Sequence, residues 1–220
     1  MADLDFDRAR FNMVEQQIRP WEVLNDRVLD ILRTVPREDF VPTQYRALAF
    51  ADMNIPLADG QVMLEPKIEA RILQAVDPQP SEQVLLIGTG SGYLAACLAR
   101  MAAHVTSVDI SPEMTALAQK NLAAQGIDNV TLKTGDAARG WDDGNRYDVI
   151  VVSGSLPEMH QGFHQSLAVG GRLFLIVGTE PVMEALLITR ISEEQWATES
   201  LFDTCLPALV NAPVTKTFTL

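Results

Sequence analysis

The stretch "VLLIGTGSGYLAA", residues 84–96, passes from an apolar run through three alternating glycines into a helical pattern. Glycine tolerates positive φ and lets a ligand approach the backbone closely, so such a turn between a strand and a helix is typical of nucleotide sites. The spacing is G-x-G-x-G, because Tyr93 stands where the dinucleotide fingerprint has its third glycine. No Gly-Lys-Ser/Thr follows, which excludes a P-loop. A purely structural turn stays open as the alternative.

From residue 83 onward, short β-rich runs alternate with helical runs. This alternation predicts βαβ units and a parallel sheet covered by helices on both faces. The predicted strands are "QVLLIG", "HVTSVD", "NVTLKTG", "YDVIVVS" and "GRLFLIVG". The predicted helices are "YLAACLARMA", "SPEMTALAQKNLAAQG" and "PEMHQGFHQSLAVG". The tail, "ALLITRISEEQWATESLFDTCL", contains two further candidate strands, which we expect to pair antiparallel at the sheet edge.

The first eighty residues have a different pattern, with helices and connecting loops. Apolar residues recur at helical spacing up to Pro20, Asn25 is placed to cap a second helix, and "KIEARILQAV" predicts a third. The segment "DPQPSEQ" is the predicted hinge. We therefore expect an N-terminal helical lobe over residues 1–80 and a core over residues 81–220, together forming one compact unit.

Composition and charge exclude several classes of protein. The formal net charge is −12 with no Lys/Arg cluster, so we expect no nucleic-acid partner. No apolar run approaches the roughly 20 residues that span a bilayer, and we expect no membrane partner. Cys97 and Cys205 lack metal-type spacing and suit a reducing compartment. These features predict a cytoplasmic protein.

Two acidic residues close the next predicted strands along the chain. Asp109 ends the second strand, and a carboxylate there can accept hydrogen bonds from both ribose hydroxyls. Asp136 ends the third strand, where it can accept from the amino group of adenine beside the backbone of Ala137. Because the carboxyl ends of parallel strands meet at one edge of the sheet, the glycine turn and both aspartates predict a nucleoside site.

With these motifs in place, the sequence resembles the protein-L-isoaspartate O-methyltransferases, a family of Rossmann-like S-adenosylmethionine-dependent enzymes. The resemblance runs from about residue 13 to residue 180, through "MVEQQIR", "VLDILRTVPREDFVP", "PLADGQVMLEPKIEARIL", "YDVIVVSGSLPEM" and "LAVGGRLFLIVG". It implies an α/β fold, with a doubly wound seven-stranded sheet whose last two strands reverse direction, and an N-terminal lobe. The implied cofactor-binding residues are Gly88, Thr89, Gly90, Ser91, Gly92, Asp109, Ile110, Asp136 and Ala137.

The resemblance also implies a reaction and a partner. S-adenosyl-L-methionine would donate a methyl group to the free α-carboxylate of an isoaspartyl residue in a damaged protein or peptide. The ester would then cyclise to a succinimide, which hydrolyses partly to normal aspartate, so the implied role is protein repair.

The substrate side departs from the family pattern. The family usually has a serine within a Gly-Gln-Thr-Ile-Ser-like segment, whereas Leu64 takes the serine position here and Val62 the threonine position. Neither side chain can donate a hydrogen bond. Leu86 stands where the family commonly has an acidic residue, and the tail lacks the usual Arg-Phe-Val-Pro-Leu-like strand. Ser153 and Ser155, at the end of the fourth predicted strand, are our candidates for replacing the lost hydroxyl.

Three functional interpretations therefore stay open. The first is an isoaspartate methyltransferase that holds its carboxylate without the serine. The second is a methyltransferase with a more apolar or neutral acceptor, and the third is a noncatalytic cofactor-binding protein. His160 and His164 form an i,i+4 pair on a predicted helix, but no third ligand is suitably spaced, so we predict no metal site.

Overall fold

The computed structural model describes residues 5–214, so the outermost residues of the two predicted lobes lie outside the described part. Helix α1 (Phe6–Met13) continues through a π-helical turn, Val14–Ile18, towards Pro20. Helix α2 (Asp26–Thr34) begins after Asn25, whose side chain accepts a hydrogen bond from the Arg27 N–H. This bond satisfies one of the amide groups left without a partner at a helix start, and it confirms the predicted cap.

The next segment is mostly irregular before a third helix begins. It contains 3₁₀ turns and a two-stranded antiparallel ribbon of β1 (Ile55–Pro56) and β2 (Val62–Met63). Helix α3 (Pro66–Val76) follows, with proline in its first turn, where the missing N–H costs no helical hydrogen bond. Most of its side chains are buried, because the helix lies between the N-terminal segment and the sheet.

Seven strands form the main sheet in the order β5-β4-β3-β6-β7-β8-β9. The strands are β3 (Gln83–Ile87), β4 (His104–Asp109), β5 (Val130–Thr134), β6 (Tyr147–Leu156), β7 (Leu167–Thr179), β8 (Val182–Arg190) and β9 (Trp196–Thr204). Strands β3 to β7 are parallel, whereas β8 pairs antiparallel with both of its neighbours. The sheet confirms the predicted α/β class, the five parallel strands and the antiparallel pair in the tail.

Helix α4 (Tyr93–Ala99) connects β3 to β4, and helix α5 (Pro112–Ala124) connects β4 to β5. The helix predicted over residues 157–170 is wrong, since this segment contains bends and one 3₁₀ turn before β7 begins. A Cβ atom at Gly162 would meet the Arg139 carbonyl oxygen at 1.8 Å, and Phe163 is fully buried. These tertiary contacts hold the chain in a non-helical path over the second face of the sheet.

The two faces of the sheet carry separate apolar clusters. One cluster extends from Met13 to Leu206, and side chains from both predicted lobes contribute to it. The other contains Phe163 and lies under irregular chain. Arg172 on β7 links the sheet to the segment after α3, because its Nε donates to the Val76 carbonyl at 2.7 Å and its guanidinium binds both carboxylate oxygens of Glu82. Within residues 5–214, no helix is long and apolar enough to cross a membrane.

We expect Phe163→Ala to lower the free energy of unfolding by about 3–5 kcal/mol, because it removes a fully buried aromatic ring from a face that lacks helical cover. Urea denaturation measures this change. Val169→Ala is the control, because Val169 is about half exposed and its truncation should change stability by less than about 0.5 kcal/mol. Equal stability of the two variants would contradict this account of the second face.

Candidate functional site

The glycine turn between β3 and α4 has a backbone that other residues rarely adopt. Gly88, Gly90 and Gly92 have φ values of +90°, +53° and +92°, all in the left-handed region. A Cβ atom at Gly88 would also meet the Ser153 Oγ at 2.3 Å. Gly92 instead faces α5, where its added Cβ would lie 3.2 Å from the Cα of Ala118. The turn therefore needs glycine for its conformation and for close contact with two neighbouring elements.

Asp109, the last residue of β4, is joined to this turn. Its Oδ2 accepts a hydrogen bond from the Gly90 N–H at 2.9 Å, and its Oδ1 accepts from the Ser111 N–H at 2.9 Å. The carboxylate is nearly buried, and each oxygen keeps a second lone pair. The backbone thus fixes the orientation of Asp109 while leaving it able to accept bonds from a ligand.

Asp136 follows β5 and is held in a similar way. Its Oδ1 accepts from the Ala138 N–H at 3.0 Å, and its Oδ2 accepts from the Asn211 side chain at 2.9 Å. These two hydrogen bonds hold the pKa of Asp136 below its ordinary value. Asp136 is therefore an ionised acceptor at neutral pH, and Asn211 is a contact from the tail that the sequence analysis did not find.

One cleft joins these residues. It consists of two adjoining cavities that share the walls formed by Gln61, Gly88, Asp109 and Leu209. Eight of the nine predicted cofactor residues line it, namely Gly88, Thr89, Gly90, Ser91, Asp109, Ile110, Asp136 and Ala137. Gly92 is the one predicted cofactor residue that lines neither cavity. Ile110 is 36% exposed at the cleft wall, where an apolar ring of a ligand could cover it.

The predicted acceptor side lies at the end of the cleft formed by the first cavity. Val62, Met63 and Leu64 line this cavity, so the position of the family serine does face the site. The Glu65 carboxylate is outside the lining and pairs with Lys67 Nζ at 3.0 Å. Leu86 is fully buried within the apolar cluster and lines neither cavity. Three consecutive apolar side chains thus form the wall of the cleft where the family serine would stand.

The two predicted serines lie in different surroundings. Ser153 lines the first cavity, and its hydroxyl lies 2.9 Å from the carbonyl oxygens of Ile87 and Gly88, to which it can donate. Ser155 is fully buried, lines neither cavity and donates to the Leu206 carbonyl at 2.9 Å. Its backbone also pairs with Leu209, so β6 holds the tail against the cleft. The structure therefore brings Ser153, but not Ser155, to the site.

A buried ion pair at the cleft was not found from the sequence. Glu69 on α3 lines the first cavity, and its Oε2 accepts a hydrogen bond from Arg37 Nη1. Arg37 also donates to the carbonyls of Ala49 and Leu64 at 2.8 and 2.5 Å. Burial raises the pKa of Glu69 to about 7, although Arg37 acts in the opposite direction. One sequence signal pointed to this buried glutamate. Ile72 and Leu73 follow Glu69 by three and four residues, so all three lie on the same apolar face of the helix.

The histidine pair lies away from the cleft. His160 Nδ1 accepts a hydrogen bond from the Gly162 N–H at 3.1 Å. The His164 ring packs edge-on against Trp196, with 4.7 Å between the ring centroids. Among residues 5–214, no three His, Cys, Asp or Glu side chains are grouped so that they could hold a metal ion. The pair thus packs within the segment that covers the second face.

Comparison with known proteins gives a consistent result. The model of the Protein-L-isoaspartate(D-aspartate) O-methyltransferase family matches residues 8–210. Protein-L-isoaspartate O-methyltransferase 2 from Marinobacter nauticus is 40% identical over 90% of this chain and 91% of its own length. A protein-L-isoaspartate O-methyltransferase from Koribacter versatilis is 39% identical over 84% and 82% of the two chains.

A solved structure supports the same fold. It is a Plasmodium falciparum protein assigned to this enzyme type, in complex with S-adenosyl-L-homocysteine, and it is 17% identical to this chain. The likeness covers 94% of this chain and 99% of the other, with a TM-score of 0.77.

We expect Asp109→Asn to weaken S-adenosylhomocysteine binding roughly ten- to hundredfold, because an amide nitrogen would face the Gly90 or Ser111 N–H in place of an acceptor. Calorimetric titration measures this change. Asp128→Asn, at an exposed position before β5, is the matched control and should keep the parental affinity. Similar affinities for the two variants would show that binding does not need both carboxylate oxygens of Asp109.

Proposed function

The chain belongs to the protein-L-isoaspartate O-methyltransferase family, and we propose that its cleft brings S-adenosylmethionine together with an isoaspartyl residue of a protein or peptide. It is a methyltransferase that depends on S-adenosylmethionine. The observation that carries the proposal is the convergence of eight predicted cofactor residues on a cleft whose other wall contains the segment ending in Leu64. The acceptor group would be the free α-carboxylate of the isoaspartyl residue.

The residues that line the cleft fit the cofactor. Asp109 has acceptor capacity for two ribose hydroxyls, and Asp136 with the Ala137 backbone offers polar partners for adenine. Ile110 offers an apolar surface for the ring, and the glycine turn admits a ligand close to the backbone. When bound, S-adenosylmethionine supplies an electrophilic methyl group on a positively charged sulfur.

This reaction requires little acid–base catalysis from the protein. A carboxylate with an ordinary pKa of about 3.9 is already ionised at neutral pH, so no general base is required. The contribution of the protein is then to position the carboxylate and to exclude water. The apolar side chains of Val62, Met63 and Leu64 suit the second role.

We also propose that the two predicted parts of the chain contribute different walls of the cleft. Residues 1–80 would supply the acceptor wall and residues 81–220 the cofactor site. Ser153 stays a candidate for a polar contact with the acceptor because it lines the cleft, whereas Ser155 would act by holding the tail. The cytoplasmic location and the expectation of neither nucleic-acid nor membrane partners stay predictions from the composition.

A different acceptor is the second candidate function. The observation in its favour is that Val62 and Leu64, which face the cleft, have no hydrogen-bond donors for a carboxylate. A neutral acceptor would not need those donors.

An isoaspartyl peptide and its normal aspartyl twin separate the two candidates. We expect S-adenosylhomocysteine to form from S-adenosylmethionine with the isoaspartyl peptide and not with the twin, because only the first presents the free α-carboxylate in the required position. Release is measured by chromatography. A protein that binds S-adenosylhomocysteine but yields no product with either peptide would contradict the proposed function and favour another acceptor.

A further inference from the structure

A carboxylate that enters the cleft needs hydrogen-bond donors, since burying an unpaired charge is costly. The family hydroxyl is missing at Leu64, and the Ser153 proton is directed at the carbonyls of Ile87 and Gly88. The Thr89 hydroxyl is paired with that of Ser107 at 2.7 Å. The hydroxyls of Ser153 and Thr89 are therefore already engaged, and a carboxylate acceptor needs a different polar group.

Glu69 is a polar group that the structure links directly to Leu64. A single guanidinium, that of Arg37, donates to Glu69 Oε2 through Nη1 and to the carbonyl of Leu64 through Nη2. The Glu69 carboxyl and the Leu64 backbone are thus held side by side at the cavity wall. Gln61, Ser91 and Tyr93 are also polar residues of the lining. Gln61 extends to the cavity beside Asp136, Ser91 belongs to the glycine turn, and the Tyr93 hydroxyl is buried on α4.

We propose that the Glu69 carboxyl binds the acceptor carboxylate in its protonated form, and so takes the place of the hydroxyl absent at Leu64. This inference rests on the proposed function. A protonated carboxyl has one O–H donor, which can point to a carboxylate oxygen of the acceptor. Oε2 is occupied by Arg37, and Oε1 accepts no hydrogen bond within residues 5–214. Oε1 is therefore available to carry the proton.

Burial of Glu69 favours its protonated form, and Arg37 opposes it. The titratable groups that face it are Arg37 from the 3₁₀ turn after α2, and Tyr93 and Cys97 from α4. Burial raises the pKa of Tyr93 and Cys97, so both stay neutral and Arg37 is the one cation. The pKa of Glu69 is already raised to about 7, and an acceptor anion beside it would raise it further.

Proton linkage sets the direction of the pH effect. If acceptor binding requires protonated Glu69, the acceptor KM is constant below the pKa of Glu69 and rises about tenfold per pH unit well above it. Turnover at saturating acceptor changes little, because the bound anion retains the proton. The opposite slope is expected if ionised Glu69 serves as a base for a neutral acceptor.

The test compares Glu69→Gln and Glu69→Leu with the wild-type protein, using the isoaspartyl peptide from about pH 6 to about pH 9. Glutamine keeps a donor that does not titrate, so we expect a low KM that no longer depends on pH. Leucine removes the donor, so we expect a KM raised roughly ten- to hundredfold at every pH. Glu65→Gln is the matched control, because it makes the same change just outside the cleft and should keep the wild-type profile.

A binding measurement supplies a second readout that does not depend on turnover. The isoaspartyl peptide is titrated into the complex with S-adenosylhomocysteine near pH 8, in two buffers of different ionisation enthalpy. We expect the wild-type protein to take up about one proton on binding and Glu69→Gln to take up none. Equal S-adenosylhomocysteine affinity of all variants shows that they are folded, and Glu69→Gln alone decides the question if Glu69→Leu does not fold.

The two proposals fail in different ways. Methylation of the isoaspartyl peptide with a pH profile that Glu69→Gln leaves unchanged overturns the role of Glu69 and leaves the proposed function intact. Activity that rises with pH and is lost in Glu69→Gln also overturns it, in favour of a base. If the peptide neither binds nor reacts while S-adenosylhomocysteine binds normally, both proposals fail.

Discussion

The site depends on the left-handed glycine turn at the end of β3. This strand lies between β4 and β6, so its last residues are confined by neighbours on both sides. Gly88 donates its N–H to the Val108 carbonyl on β4 at 2.8 Å and leaves no room for a side chain beside Ser153 on β6. Gly90 then reaches the Asp109 carboxylate. The turn therefore contacts residues of both neighbouring strands, β4 and β6. Its left-handed backbone fixes its shape.

The cavity wall beside Leu64 depends on a charged group from the N-terminal segment. Arg37 is fully buried, and its guanidinium binds the Ala49 and Leu64 carbonyls as well as Glu69. A buried ion pair adds little net stability, because desolvation offsets much of the attraction. Here the pair connects an irregular segment to α3 at a cavity wall. Its role is therefore to fix the position of that segment, and not to add stability. Residues before α3 and residues of the sheet consequently contribute to one apolar core, and both parts of the chain line one cleft.

Secondary structure was predictable where the local pattern and the tertiary contacts agree. The alternation of β-rich and helical runs located the five parallel strands, and the β-rich tail located the antiparallel pair. Asn25 marked a helix start through its own side chain. The segment 157–170 has apolar spacing that resembles a helix, yet Gly162 lies against Arg139 and Phe163 fills the core of the second face. A local period contains no information about a contact with a carbonyl more than twenty residues away, so the prediction failed there.

The sequence by itself determined the fold class and the meeting of the glycine turn with Asp109 and Asp136 at one cleft. Glycine spacing and the aspartates at two strand ends are sufficient, because the carboxyl ends of parallel strands meet at one edge whatever the rest of the chain does. Only the tertiary structure decided which hydroxyls are already engaged, that Asn211 in the tail reaches Asp136, and that Arg37 meets Glu69 across 32 residues of sequence. These features are contacts between distant segments, and their geometry follows from how the whole core packs.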